Sequence, residues 1–155
     1  MLKIKQSKTA DTRSAETKVD KETLLASSHQ HIGDVQMALL WMSSRLNEIA
    51  LKHDWTKIDG IEQFAEDFKS VQEDKTIDFK KLPWFKRHVM NERHHVNDYC
   101  PEDVNMFDLL ERIADITMAG MARTGKIYDD TLSQDILTKA YKNTVELLKN
   151  NIQVE

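Results

Sequence analysis

The first long pattern of the chain runs over residues 21–52, where apolar residues recur at steps of three and four, the spacing of one helix face. These residues are Leu24, Leu25, Ile32, Val35, Leu39, Met42, Leu46 and Ile49. The pattern predicts one long helix, with a break near Ser27 and Ser28 as the alternative. After Asp59 and Gly60 a second stripe predicts a shorter helix, with apolar positions at Ile61, Phe64, Phe68 and Val71.

Three further helices are predicted in the second half of the chain. A proline suits the first turn of a helix that we expect over residues 83–95, and residues 97–101 form a loop. A strongly patterned stretch predicts a helix from about 102 to 123, ended by Gly125, and a last helix covers about 132–150. Because no window shows sustained strand alternation, the sequence predicts an all-α fold, a compact bundle of five or six helices.

The distribution of apolar residues predicts one folded domain preceded by an arm. Residues 1–20 carry almost no apolar side chains after Ile4 and cannot bury enough surface to offset their ordering entropy, so we expect a flexible N-terminal arm. Of the 155 residues, 40% are hydrophobic and 31% are charged, as in an ordinary globular protein. A chain of this size can hold its own core, so residues 21–155 are predicted to form a single helical domain.

Charge and composition exclude several classes of protein. The 26 acidic and 22 basic residues give a formal charge of −4, whereas a general nucleic-acid binder carries a basic excess. No apolar run approaches the ~20 residues of a membrane span, and the first residues lack the apolar stretch of a signal peptide. The one cysteine, Cys100, can form neither an internal disulfide nor a Cys-rich zinc site. We expect a protein of the cytoplasm that does not enter membranes.

The candidate chemistry lies in the histidines and in one adjacent carboxylate. All six histidines lie between positions 29 and 95, and His53 is followed directly by Asp54. Neutral imidazole binds transition metals, and a neighbouring carboxylate can bridge two such ions. The sequence therefore predicts a site for one or two divalent transition-metal ions: Mn, Fe, Ni, Co or Zn. The candidate ligands are His31, His53, Asp54, His88, His94, His95 and Asp115.

Helical spacing relates some of these ligands to one another. Because 22 residues separate His31 from His53, roughly six helical turns, the two would face the same side of a continuous helix. His88 and His95 are seven residues apart and share a face, whereas His94 points ~100° away unless the helix ends before it. His95 is therefore the safer ligand of the adjacent pair.

Each candidate also has a purely structural explanation. A single histidine on a helix is more often a surface or capping residue than a ligand. Asp115 lies in an apolar stripe, where a buried carboxylate needs a partner, but it could pair with Arg112 or face solvent. Lys57 could hold a phosphate oxygen near the metals or be an ordinary solvated lysine. Arg123 and Lys126 are further phosphate-binding candidates, although basic residues there also complement the helix dipole.

The order of these residues resembles that of the HD-domain metal-dependent phosphohydrolase superfamily, whose fold is helical. The stretch His53-Asp-Trp-Thr-Lys57 is similar to the His-Asp-x-Gly-Lys segment of its cyclic-dinucleotide phosphodiesterases, with Thr56 in place of the glycine. His94-His95-Val-Asn-Asp98 resembles their second His-His motif. Arg112-Ile-Ala-Asp-Ile116 resembles the closing Ala-Asp segment, whose aspartate is a metal ligand. The whole chain is also similar to small proteins of uncharacterised role encoded by tailed bacteriophages.

The first resemblance implies a phosphohydrolase that acts on a nucleotide or another small phosphate ester. Asp54 would then bridge the metals or orient the attacking water, and Lys57, with Arg123 and Lys126, would bind the phosphate. Two alternatives stay open. The same ligand order occurs in HD-fold di-iron oxygenases, and a non-catalytic phage protein would instead bind a host protein.

Overall fold

The computed structural model describes residues 1–8, 10 and 20–155, and it confirms the predicted all-α class. Six α-helices, one short 3-10 helix and two three-residue strands make up the regular structure of these residues. In chain order they are β1 Leu2–Ile4, α1 Lys21–Ala50, α2 Trp55–Asp59, α3 Ile61–Glu73, the 3-10 helix Phe79–Lys81, α4 Pro83–Asn91, α5 Met106–Thr124, α6 Gln134–Lys149 and β2 Ile152–Val154. None of the described helices is long and apolar enough to span a membrane.

The chain divides into two compact units. The first comprises Met1–Asn47 and Val145–Glu155, and the second comprises Glu48–Thr144. The single domain expected over residues 21–155 therefore stays a prediction.

The first unit contains a strand pair that the sequence did not predict. Strand β1 pairs in parallel with β2, with Leu2 opposite Ile152 and Ile4 opposite Val154. Three residues are too few for an alternating pattern to be recognised, and the partner strand lies at the other end of the chain. The start of the predicted arm is therefore paired. Most of the remaining arm, Thr9 and residues 11–19, lies outside the described residues.

Helix α1 continues without a break through the two serines where an interruption was the alternative. Ser27 is buried, and Ser28 Oγ donates a hydrogen bond of 2.8 Å to the carbonyl oxygen of Leu24 one turn earlier. A serine bonded in this way stays compatible with the helix. At its start, the carboxylate of Asp20 accepts a 2.8 Å hydrogen bond from the backbone N–H of Thr23, as a capping side chain does.

The second unit has an apolar core beneath α5 and an aromatic cluster beside α4. The core consists of Val96, Val104, Leu109 and Ala140, against which Cys100, Met106, Leu132 and Ile136 pack. In the aromatic cluster, Phe64 stacks on Trp84 with ring centroids 3.8 Å apart. The buried carboxylate of Asp67 accepts a 2.9 Å hydrogen bond from the backbone N–H of Trp84, which fixes the start of α4 against α3.

Two helix boundaries differ from the prediction, and one of them matters for the candidate site. Helix α4 ends at Asn91 and not near residue 95, because Glu92 adopts an extended backbone with φ −97° and ψ 101°. Helix α5 begins at Met106, after a capping box formed by Asn105 and Asp108. It ends, as predicted, at Gly125, whose φ of 70° suits a residue without a side chain.

Candidate metal centre

His53 and Asp54, at the centre of the site, lie in the turn that follows α1. Asp54 has φ 56° and ψ 26°, the one positive φ of a non-glycine residue among those described. Such a conformation costs about 1–3 kcal/mol and is concentrated at functional sites. Asp54 also occupies the N-cap position of α2, yet its side chain caps no backbone N–H. The carboxylate is therefore left for other contacts.

Both oxygens of Asp54 face imidazole nitrogens. Oδ2 lies 3.3 Å from His53 Nε2, while Oδ1 lies 3.6 Å from His88 Nε2 and 3.7 Å from His94 Nε2. Asp115, on α5, adds a second carboxylate on the same side, 3.7 Å from His53 Nε2 and 3.9 Å from His94 Nε2. The Nε2 atoms of all three histidines thus lie near the Asp54 carboxylate, and those of His53 and His94 also lie near the Asp115 carboxylate, an arrangement that suits a shared metal ion.

His95 completes the arrangement. Its Nε2 lies 2.8 Å from Nε2 of His88. Among the described residues there are four overlapping sets of three that could each hold a metal ion. Within each set, the ring nitrogens and carboxylate oxygens that would bind the ion lie within 4.8 Å of one another. The sets are His53, His94 and Glu111; Asp54, His88 and His95; His53, Asp54 and Asp115; and Asp54, Glu92 and His94. Asp54 belongs to three of the four.

Three buried polar atoms of the cluster make no hydrogen bond. Within the described part of the chain, Asp54 Oδ1 and both ring nitrogens of His94 are buried and make none. An unsatisfied buried polar group costs about 1–3 kcal/mol, so native structures rarely keep one without a reason. A divalent cation would satisfy Asp54 Oδ1 and His94 Nε2 together. Mixed imidazole and carboxylate donors suit Mn, Fe, Co, Ni and Zn, so the residues fit such an ion.

Glu111 supports two of the histidines from behind. Its Oε1 lies 2.8 Å from His53 Nδ1 and 3.2 Å from His94 Nδ1, the latter an ion-pair distance without hydrogen-bond geometry. Metal-binding histidines commonly offer their second nitrogen to a carboxylate in this way. The sequence analysis missed Glu111. It stands one helical turn before Asp115, and that i, i+4 spacing was the available signal.

A second support lies behind His88. Thr56 Oγ1 is 2.6 Å from His88 Nδ1 and donates a 2.6 Å hydrogen bond to Glu92 Oε1. The backbone N–H of Thr56 donates to the same Glu92 oxygen at 2.9 Å. Thr56 and Glu92 are both buried, and the sequence analysis assigned neither a contact at the site. Glu92 could not be recognised from the sequence, because the predicted helix over residues 83–95 made it look like an ordinary helical glutamate.

The surroundings shift the pKa values of three histidines. Burial, with the nearby His95, lowers the pKa of His88 to about 4, and burial with the nearby His94 lowers that of His95 to about 4. Burial also acts to lower the pKa of His94, but the carboxylates of Glu111, Asp54 and Asp115 outweigh it and raise the value above normal. At neutral pH, His88 and His95 are therefore uncharged and able to ligate.

The carboxylates shift in the direction that favours a cation. Burial acts to raise the pKa of Asp54, but the ammonium group of Lys57 and the nearby His53 and His94 bring it below the ordinary value. Burial likewise opposes ionisation of Glu111, and its contacts with His94 and His53 lower its pKa overall. Both groups are ionised near neutral pH. The cluster therefore offers the anionic oxygens of Asp54 and Glu111 beside the neutral imidazoles of His88 and His95.

The structure brings together most of the predicted site residues. His53, Asp54, His88, His94, His95 and Asp115 form the cluster, and Lys57 makes a short ion pair with Asp54 Oδ2. The preference for His95 assumed a helix through both histidines, but α4 ends at Asn91 and both follow it, so which of them is the ligand stays a prediction. His94 is in fact the more deeply buried of the two.

Three predicted residues have no described contact with the cluster. His31 lies on α1 in the first unit with an exposed side chain, and its role as a ligand stays a prediction. The alignment with His53 was predicted for a helix continuous through both residues, and α1 ends at Ala50, so that condition is not met. Arg123 lies eight residues after Asp115, about 12 Å along α5, and both Arg123 and Lys126 are exposed. Their phosphate-binding roles also stay predictions.

Arg112 pairs with a different aspartate from the one considered for it. Its guanidinium binds Asp130 through Nε and Nη2, at 2.9 and 2.5 Å, and Nη1 donates to the backbone carbonyl of His94 at 3.2 Å. Asp115 is thereby left to the histidines. Since Arg112 holds the backbone of His94, it fixes one ligand of the cluster from outside it.

Comparison with known proteins adds no relative. No family model matches the chain, and neither a curated protein nor a solved structure matches it. The likeness to HD-domain proteins therefore depends on the short motifs around His53, His94 and Asp115.

Proposed function

We propose that this protein is a metal-dependent phosphohydrolase that acts on a nucleotide or another small phosphate ester. One or two divalent transition-metal ions would be held by the cluster around Asp54. One observation carries this proposal: Asp54 Oδ1 and His94 Nε2 are both buried, lie 3.7 Å apart and make no hydrogen bond. The order of the residues along the chain, which resembles that of the HD-domain hydrolases, supports the same choice.

The residues that would hold metal are His53, Asp54, His88, His94, His95 and Asp115. A bound divalent ion supplies Lewis acidity, which makes water nucleophilic near neutral pH and offsets charge on a phosphoryl group. The protein's own side chains would position the reacting groups. Asp54 is central to this, because its Oδ2 faces His53 and its Oδ1 faces His88, so it would orient a molecule bound between these two histidines.

Access to the cluster is one-sided. The side chains of His88 and His94 are 3% and 1% exposed, whereas those of His53, Asp115 and Lys57 are 33%, 25% and 41% exposed. A substrate would therefore approach along the side formed by His53, Asp115 and Lys57. On this side, Lys57 carries a cation next to the metal-binding carboxylate, where it can exchange its contact with Asp54 for a phosphate oxygen.

The test is a hydrolysis screen at controlled metal content. Protein treated with a chelator and then reconstituted separately with Mn, Fe, Co, Ni or Zn is assayed on nucleotides and on general phosphomonoester and phosphodiester substrates. Turnover that requires one of these metals and is lost in Asp54→Ala supports the proposal. The control is His29→Ala, which removes an exposed histidine of the first unit. It should leave turnover unchanged.

Other results of the same screen would replace the proposal. Iron in the purified protein with a visible absorption band, oxygen consumption and no phosphate release would indicate the di-iron oxygenase alternative. Bound metal with no turnover on any substrate would make the cluster a structural site. In that case a non-catalytic protein that binds a host factor becomes the better account.

A further inference from the structure

His88, Thr56 and Glu92 form a buried chain of three hydrogen-bonded side chains. Thr56, His88 and Glu92 are 1%, 2% and 4% exposed, so no solvent reaches the bonds that join them. They are linked by two short contacts, from His88 Nδ1 to Thr56 Oγ1 and from Thr56 Oγ1 to Glu92 Oε1, each 2.6 Å long. A buried chain of this kind has few ways to distribute its protons.

Counting the hydrogens fixes the direction of each bond. Glu92 Oε1 accepts from both the backbone N–H and the hydroxyl of Thr56. A hydroxyl has one hydrogen to donate, and here that hydrogen goes to Glu92. The contact between Thr56 Oγ1 and His88 Nδ1 must therefore be donated by the ring. His88 is thus protonated at Nδ1 and carries a free lone pair at Nε2.

We propose that Thr56 and Glu92 are positioning residues that fix the Nδ1-protonated tautomer of His88 and so present its Nε2 lone pair to the metal. The second half of this statement depends on the proposed metal site, whereas the tautomer itself does not. Nε2 is the nitrogen that faces Asp54 Oδ1, at 3.6 Å, and His95. Thr56 also occupies the position of the glycine in the similar motif, so this support belongs to the present chain.

The contact on the other side of the ring agrees with this tautomer. His88 is 2% exposed, and burial disfavours the charged imidazolium, so one of its two ring nitrogens carries a proton. The neighbouring ring must then adopt the opposite form in the metal-free protein. His95 Nε2 lies 2.8 Å from the unprotonated His88 Nε2, and a hydrogen bond between them requires His95 to donate. The two rings are expected to differ in tautomer.

The test reads the tautomer directly, without metal. Metal-free protein labelled with 15N in histidine is examined at pH 7.5 by long-range 1H–15N correlation, which distinguishes protonated from unprotonated ring nitrogens. Comparison with His88→Gln assigns the ring. Two substitutions probe the support: Thr56→Val keeps the shape but removes the hydroxyl, and Thr56→Ser keeps the hydroxyl. Thr144→Val removes a hydroxyl that likewise donates one hydrogen bond, to the carbonyl oxygen of Ala140, and accepts another, from the backbone N–H of Met106, and it serves as the matched control elsewhere in the same unit.

We expect His88 to be protonated at Nδ1 in the wild type and Thr56→Ser, and to lose that preference in Thr56→Val. Zn²⁺ affinity, measured by calorimetric titration, should fall about 10- to 100-fold in Thr56→Val and stay near the wild-type value in Thr56→Ser and Thr144→Val. A wild-type ring protonated at Nε2 would overturn the inference. So would a Thr56→Val protein with unchanged tautomer and affinity.

The two proposals fail in different ways. If the wild type shows the Nδ1 tautomer but binds no Zn²⁺, the positioning of His88 stands and the metal site is wrong. If it binds Zn²⁺ with His88 protonated at Nε2 beforehand, the metal site stands and the positioning is wrong. The wild-type spectrum decides the tautomer even if Thr56→Val does not fold.

Discussion

Replacing Lys57 with methionine separates the binding of metal from the binding of substrate. The substitution keeps an unbranched side chain of good helix propensity and removes the charge. In the structure, the ammonium group of Lys57 contacts Asp54 Oδ2, an oxygen that also faces His53 Nε2. Removing this cation takes away a competitor for Asp54, so metal affinity should be kept or rise slightly. Hydrolysis should fall, because the phosphoryl group loses its cation.

The size of the effect follows from where the charge lies. Two unit charges ~4 Å apart interact with about 1 kcal/mol in water and about 4 kcal/mol at an effective dielectric constant near 20. The Lys57 side chain is 41% exposed, so the lower part of this range applies. Because each ~1.4 kcal/mol is tenfold in rate, kcat/KM should fall about 5- to 100-fold at saturating metal.

The assay compares kcat/KM and metal affinity for the wild type, Lys57→Met and Lys52→Met on the substrate found by screening. Lys52 is an exposed lysine in the turn before His53, so its substitution should change neither quantity. Full activity in Lys57→Met would remove that residue from the substrate site. Loss of metal together with activity would show that Lys57 holds the ligands in place, and the reasoning above would be wrong.

Three further outcomes are expected. Glu111→Gln, which weakens the support of His53 and His94, should lower metal affinity about 10- to 100-fold in a titration, and an unchanged affinity would contradict that role. The metal-free protein should lose stability to denaturant as the pH falls from about 6.5 to about 4. In this pH range the side chains of His88 and His95 bind protons in the unfolded chain but stay neutral in the folded one, whereas the raised pKa of His94 changes stability only above about 6.5. A stability that rises as the pH falls would refute this. Deleting residues 1–8 should lower the melting temperature by removing β1 while metal content stays constant, and loss of metal would contradict it.

The sequence predicted the helices well because their apolar stripes are long. The pattern at steps of three and four gave α1, α3, α5 and α6, and Gly125 gave the end of α5. The end of α4 was missed because nothing in the local pattern marks Glu92 as a stop. Its extended backbone is instead associated with a carboxylate that binds Thr56, 36 residues away in sequence. A tertiary contact of this kind leaves no periodic signal.

The ligands were easier to predict than the residues that support them. Histidines are few, so their order along the chain was informative, and His53 with Asp54 proved central to the cluster. Carboxylates are common, so Glu111 and Glu92 did not stand out among 26 acidic residues. Their contacts depend on where the chain turns after α1 and α4, which the sequence pattern does not give. The same error about α4 explains why His94 was ranked below His95.

Elemental analysis tests the central claim most directly. Wild-type protein is purified without chelator, reconstituted with Mn, Fe, Co, Ni or Zn, desalted and measured beside Asp54→Ala and His29→Ala. We predict about one or two ions per chain in the wild type and His29→Ala, and loss of most of the metal in Asp54→Ala, because Asp54 belongs to three of the four ligand sets. A wild-type protein that stays metal-free after reconstitution, or an Asp54→Ala protein with full metal content, would contradict the account.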